Sequence, residues 1–127
     1  MAWRDQVCLD LASGGDFTGS RLISVDLSEA RIGRALLAEA ELRRCSLRGA
    51  DLSGALLYAA RLIGSDLSRA DLSEADLSRV RAQGAYLAGT VARRAIWRQA
   101  RLFRAVLDGC EMARADFTEA DLRHAHL

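Results

Sequence analysis

Proline is absent from this 127-residue chain, and aromatic residues make up only 6% of it. Strands can therefore stack in register without the residue that removes a ladder hydrogen bond, and any core must be aliphatic. No stretch approaches the length of a membrane-spanning helix, and the opening MAWRDQVCLDLASGG carries acidic residues where a signal peptide would carry its apolar run. A cytoplasmic protein without a membrane partner is the expectation. Net charge is lacking too: eighteen Arg and Lys against seventeen Asp and Glu leave a formal +1, too little for a global field that draws in nucleic acid. Electrostatic recognition must then be local. Cysteine is sparse and odd in number. Cys8, Cys45 and Cys110 lie far apart without metal-ligand spacing, which suits a reducing compartment and implies no disulfide framework. Apolar residues, by contrast, form half of the chain, enough for one folded domain rather than a disordered tail.

From Gly15 onward the chain repeats every five residues. A large apolar centre recurs from Phe17, Leu22 and Leu27 to Phe117, Leu122 and Leu127, twenty-three centres without an insertion, of which only Ala82 and Ala92 are small. Two residues before each centre stands a small residue. It is alanine in fifteen cases, with Gly15, Ser20, Val25, Cys45, Ser65, Val80, Thr90 and Cys110 as variants. Eight of the ten glycines hold the last position of the pentad, and Ser13, Ser28, Ser53, Ser68, Ser73 and Ser78 the one before it.

A period of five excludes both ordinary elements. On an α-helix each step of five turns by about 140°, spraying the leucines around the cylinder, and on a flat strand centres five apart face opposite ways. Positions two apart share one face of a strand, so the small residue and the centre both point inward with the residue between them outward. The two remaining residues must turn a corner, where glycine relieves the backbone and a serine hydroxyl can satisfy turn groups.

The run ADLSEADLSR from Ala70 to Arg79, continuing into Val80, resembles the Ala-(Asp/Asn)-Leu-X-X motif of the pentapeptide-repeat family, and the resemblance covers about nine-tenths of the chain. It implies an all-β fold, a right-handed quadrilateral parallel β-helix with four pentads per coil and residues twenty apart in register. The expected organisation is an amino-terminal cap segment at 1–14, with Trp3, Val7, Leu9 and Leu11 as its apolar content, and a β-helix at 15–127. The two undersized centres fall in the same run of four as the one oversized centre, Trp97. Trp97 is expected to cross the axis into the space that Ala82 and Ala92 leave.

Residues that suggest chemistry have plainer explanations. His124 and His126 near Asp121 lack a third ligand of the right kind and read as solvated residues, so no metal site is expected. Asp51, Asp66, Asp71, Asp76, Asp116 and Asp121 occupy the outward position of the repeat, and Cys45 and Cys110 the inward small one, with no inward histidine to act as a base. No enzyme activity and no cofactor are expected. The functional signal is uneven sorting of charge. The face of pentads centred on Leu22, Leu42, Leu62, Ala82, Leu102 and Leu122 carries Arg21, Arg43, Arg44, Arg61, Arg81, Arg101, Arg104 and Arg123 against Glu41 and Asp121. Ile23, Ile63 and Phe103 add apolar area, and the next face is acidic and exposes Leu36, Leu56, Tyr58 and Ile96.

The expected function is a non-enzymatic protein-interaction or scaffold module whose partner surface includes Arg21, Arg43, Arg44, Arg61, Arg81, Arg101, Phe103 and Arg104. An acidic protein fits it better than nucleic acid. The family resemblance implies a second reading, because some pentapeptide-repeat proteins resemble DNA in shape and charge and protect DNA gyrase from poisons. A DNA mimic should be strongly acidic, so that reading ranks lower here. A homodimer is expected through the carboxyl-terminal layer of Met112, Phe117, Leu122 and Leu127, whose exposure would leave apolar area and strand edges uncovered.

Overall fold

The structure is a computed structural model that describes residues 3–127, with side chains from Gln6 onward. The Trp3 side chain therefore lies outside the described residues.

An interior pentad with an outward aspartate satisfies all of its own backbone donors. In Ser65–Arg69 the Asp66 amide donates to Cys45 O (3.0 Å) in the coil before, and the Leu67 and Arg69 amides donate to Tyr86 O (2.7 Å) and Ala88 O (3.0 Å) in the coil after. The Ser65 amide closes the preceding β-turn on Leu62 O at 3.0 Å. One donor is left over, the amide of Ser68, and the Asp66 carboxylate accepts it at 2.9 Å. Asp16, Asp26, Asp51, Asp71, Asp76, Asp116 and Asp121 do the same for the amide two residues on. This corrects the role expected for serine. The aspartate holds the turn amide, and the Ser28 and Ser53 hydroxyls donate to that carboxylate rather than to the backbone.

The last residue of every pentad from Gly14 to His124 lies in the left-handed region. This is what a β-turn with its third residue at positive φ demands. Eight are glycine at φ 66–83°, and the other fifteen, mostly Arg and Glu, stand at 54–60°. None is β-branched, the side-chain class for which this region costs most.

Outward residues twenty apart form parallel bridges all along the chain, from Asp16↔Leu36 to Val106↔His126. Four pentads complete one coil, and stacked coils build straight columns of outward side chains. Inside, the centres from Leu22 to Leu107 and nearly all of their small partners are buried. Polar variants in the small position stay satisfied: the thiols of Cys45 and Cys110 and the hydroxyl of Ser65 donate to carbonyls twenty-three residues earlier, at Leu22, Leu87 and Leu42. Burial pushes the Cys45 thiol pKa up, which disfavours its thiolate form. Trp97 is 1% exposed, in a layer with fully buried Ala82 and Ala92, and its ring stacks on Phe117 at 5.7 Å and 9°.

The amino-terminal segment is helical: α1 spans Trp3–Ala12. Val7 and Leu11, one turn apart, are buried in the same cluster as the repeat core, whereas Leu9 stays exposed. The helix ends in a Schellman arrangement. Gly14 takes φ +83°, its amide donates to Leu11 O, and the Gly15 amide donates to Asp10 O at 2.6 Å. A Cβ on Gly15 would stand 2.6 Å from that same carbonyl oxygen, which explains why the first small position has no side chain.

Candidate interaction surface

One bridge column runs Arg21, Glu41, Arg61, Arg81, Arg101, Asp121. Its two acids are already engaged. Glu41 is shared by Arg21 at 3.2 Å and Arg43 at 2.7 Å. Asp121 is held by the Arg123 guanidinium at 2.8 Å, and that contact, with the Arg123 amide, lowers its pKa to about 2. Between these ends Arg61, Arg81 and Arg101 succeed one another, and among the described residues none of the three enters a salt bridge. Every one of the eighteen cationic residues of the chain is arginine, whose planar fork suits carboxylates.

The column borders a groove of about 610 Å³ lined by Glu39, Ala59, Arg61, Arg79, Arg81, Gln99 and Arg101. Its geometry follows from pentad position. Glu39, Ala59, Arg79 and Gln99 are the turn residues that precede the arginine column, and short Ala59 opens a gap between longer neighbours. The far wall is ordered: Arg79 donates to Gln99 Oε1 (2.9 Å) and to the Tyr58 hydroxyl (3.2 Å), and Gln99 donates to Glu119 (2.9 Å). By pentad, Arg79 belongs with Asp76 to the neighbouring acidic face. A turn residue belongs to both faces that meet at its corner, and counting turn positions toward the following pentad would have found it.

The other candidate residues disperse. Arg101 and Phe103 also line a second groove of about 490 Å³ with Gln83, Asp121 and Arg123. Arg104 lies 5.1 Å over the Phe103 ring, whereas Arg21 and Arg43 gather around Glu41 and, with Arg44, line neither groove. Ile63, Leu56, Tyr58 and Ile96 are exposed, while Leu36 and Phe103 are half-buried. His124 meets the Phe103 ring edge-on at 5.5 Å, His126 Nδ1 lies 3.6 Å from Asp108, and Asp121 pairs with Arg123, so these three residues engage different partners. In the carboxyl-terminal layer Met112, Phe117 and Leu122 are half-buried and Leu127 is 80% exposed.

A family model described as pentapeptide repeats matches the chain in eight copies, over residues 26–58, 35–73, 55–91 and 98–127. No curated protein matches the sequence significantly. Among solved structures, a trypsin-treated variant of QnrB1, a plasmid-mediated fluoroquinolone resistance protein, aligns with a TM-score of 0.78 at 22% identity, over 83% of this chain and 54% of its own. This chain thus spans about half the length of that relative. HetL, a pentapeptide-repeat protein involved in heterocyst differentiation regulation in Nostoc sp. strain PCC 7120, aligns at 0.59 and 28% identity, over 90% and 75% of the two chains. Rfr23, a pentapeptide-repeat protein of the cyanobacterium Cyanothece 51142, aligns at 0.59 and 22%, over 86% and 88%.

Proposed function

The chain belongs to the pentapeptide-repeat family, and we propose that it is a non-enzymatic interaction module whose working surface is the arginine groove. Its coils are read as the right-handed quadrilateral β-helix of that family, with α1 as the cover of the first coil and residues 15–127 as the repeat domain. One observation carries the functional reading. Arg61, Arg81 and Arg101 stack on successive coils beside Arg79 with no salt bridge among the described residues, although each neighbouring pair repels by about 1 kcal/mol even in water. An acidic protein partner relieves that repulsion. The test is capture from a lysate of the source organism by the parent chain and by Arg61→Glu with Arg81→Glu. Proteins retained by the parent and by Arg31→Glu, lost by the double variant, and released by salt support the reading; unchanged capture by the double variant ends it.

A second reading, a gyrase- or topoisomerase-binding DNA mimic, draws on the fold likeness to a fluoroquinolone resistance protein. The formal charge of +1 and the cationic groove oppose it. Inhibition or protection of gyrase in a supercoiling assay at micromolar protein would reverse the ranking. End-on pairing of two copies through Met112, Phe117, Leu122 and Leu127 is a further part of the proposal, resting on the apolar area this layer exposes.

A further inference from the structure

We infer that the arginine groove receives an acidic α-helix of a partner protein, lying along the stacking direction of the coils. The inference rests on the interaction reading above and adds the shape of the partner. Arg61, Arg81 and Arg101 advance one coil at a time, about 4.8 Å per step and about 9.6 Å in all. A helix rises about 1.5 Å per residue, so carboxylates at i, i+4 and i+7 share one face and span about 10.5 Å. The difference of about 1 Å over three contacts is well within the reach of arginine side chains. An extended peptide matches poorly, because its same-face side chains stand about 6.8 Å apart and three of them span about 13.6 Å.

The surroundings favour a slender partner. Ile63 and half-buried Phe103 stand two residues beyond Arg61 and Arg101 in the same pentads, with Gln83 between them, so two apolar side chains flank the arginine column. An amphipathic helix lays acids on that column and apolar side chains on the flanking pair. On the opposite side Glu39 lies in the groove wall, and Asp76, Asp116 and Glu119 lie on the neighbouring side of the coil. A nucleic-acid duplex, broader than a helix of about 10–12 Å, would press phosphates against those carboxylates.

The experiment uses fluorescein-labelled, end-capped helical peptides of about sixteen residues. One carries Glu at i, i+4 and i+7 beside a leucine stripe; its permutation has the same composition with the Glu spread around the helix. Anisotropy is read at low salt and at about 0.15 M, where screening sets in within about 8 Å. The aligned peptide is expected to bind the full chain at least about tenfold more tightly than the permutation, an advantage of one good charge contact. Arg81→Glu, and the milder Arg81→Gln, should erase that advantage with circular dichroism unchanged, while Arg31→Glu on another column should keep it. Equal affinity for the two peptides, tighter binding of a DNA duplex, or no binding at all would overturn the inference. If the peptides fail while lysate capture still depends on Arg61 and Arg81, the surface stands and only its helical partner is refuted.

Discussion

Replacing Trp97, Ala82 and Ala92 together by leucine should disturb the core far less than the three single replacements do in sum. Trp97 carries ten side-chain heavy atoms and each alanine one, twelve in all, the number that three leucines carry. The three residues are buried to 1% exposure or less in one run of four centres. Trp97→Leu removes six of those atoms, a loss of up to about 5 kcal/mol at ~0.8 kcal/mol per methylene. Losing the stack on Phe117 adds about 1 kcal/mol. Relief comes from the indole Nε1, which is buried without a hydrogen-bond partner among the described residues, an arrangement that costs about 1–3 kcal/mol. The net loss is about 3–5 kcal/mol. Ala82→Leu or Ala92→Leu alone overpacks the layer by about 1–3 kcal/mol each. The separate costs therefore sum to about 5–11 kcal/mol, whereas the triple variant, with its volume restored and no unpaired donor, should stay within about 2 kcal/mol of the parent. Urea unfolding followed by circular dichroism measures all of these. A triple variant as unstable as the sum of the single ones, or Ala82→Leu without effect, would show that the alanines do not make room for the tryptophan.

Gly15→Ala should destabilise the chain by about 2 kcal/mol or more, because its Cβ meets the Asp10 carbonyl at 2.6 Å and backbone must move; thermal unfolding against Gly64→Ala, where the added Cβ meets nothing within 4 Å and only the φ of +69° opposes it, gives the comparison. At the turn position Glu74, with φ 59°, Glu74→Val should cost about 1–3 kcal/mol and Glu74→Gly much less, a ranking that urea midpoints can check. Asp116, held by the Thr118 hydroxyl and Arg98, and Asp121, held by Arg123, both have pKa values near 2 in the folded chain, below the unfolded value of about 3.9. Their stabilisation is present above about pH 4 and is lost as pH falls toward 2, so Asp116→Asn should flatten the acid limb of a stability–pH curve. Light scattering at rising concentration should report a dimer for the parent chain and a monomer for Phe117→Asp; a monomer in both cases would remove end-on pairing.

That Trp97 and the two alanines share a layer needed the four-pentad coil implied by the family resemblance, whereas pentad spacing alone decided which side chains face inward and that the aspartates serve the repeat. Those conclusions depend only on side-chain direction along a repeating backbone, which a strict period carries from one end of the chain to the other. Three features waited for the folded chain. Helix α1 lies outside the period, and its ending at Gly14 and Gly15 is a local hydrogen-bond geometry. The leftover turn amide goes to the aspartate two residues earlier and not to a serine hydroxyl, which only the full set of backbone donors reveals. The groove could not be found by sorting pentads onto faces, because Arg79 and Arg81 fall in different pentads yet line the same corner. A period places residues along a column. Which side chains converge across a corner depends on the lengths of neighbours such as Glu39, Ala59 and Arg79 and on the bonds that brace them, and those exist only once four pentads have closed a coil and the next coil has stacked upon it.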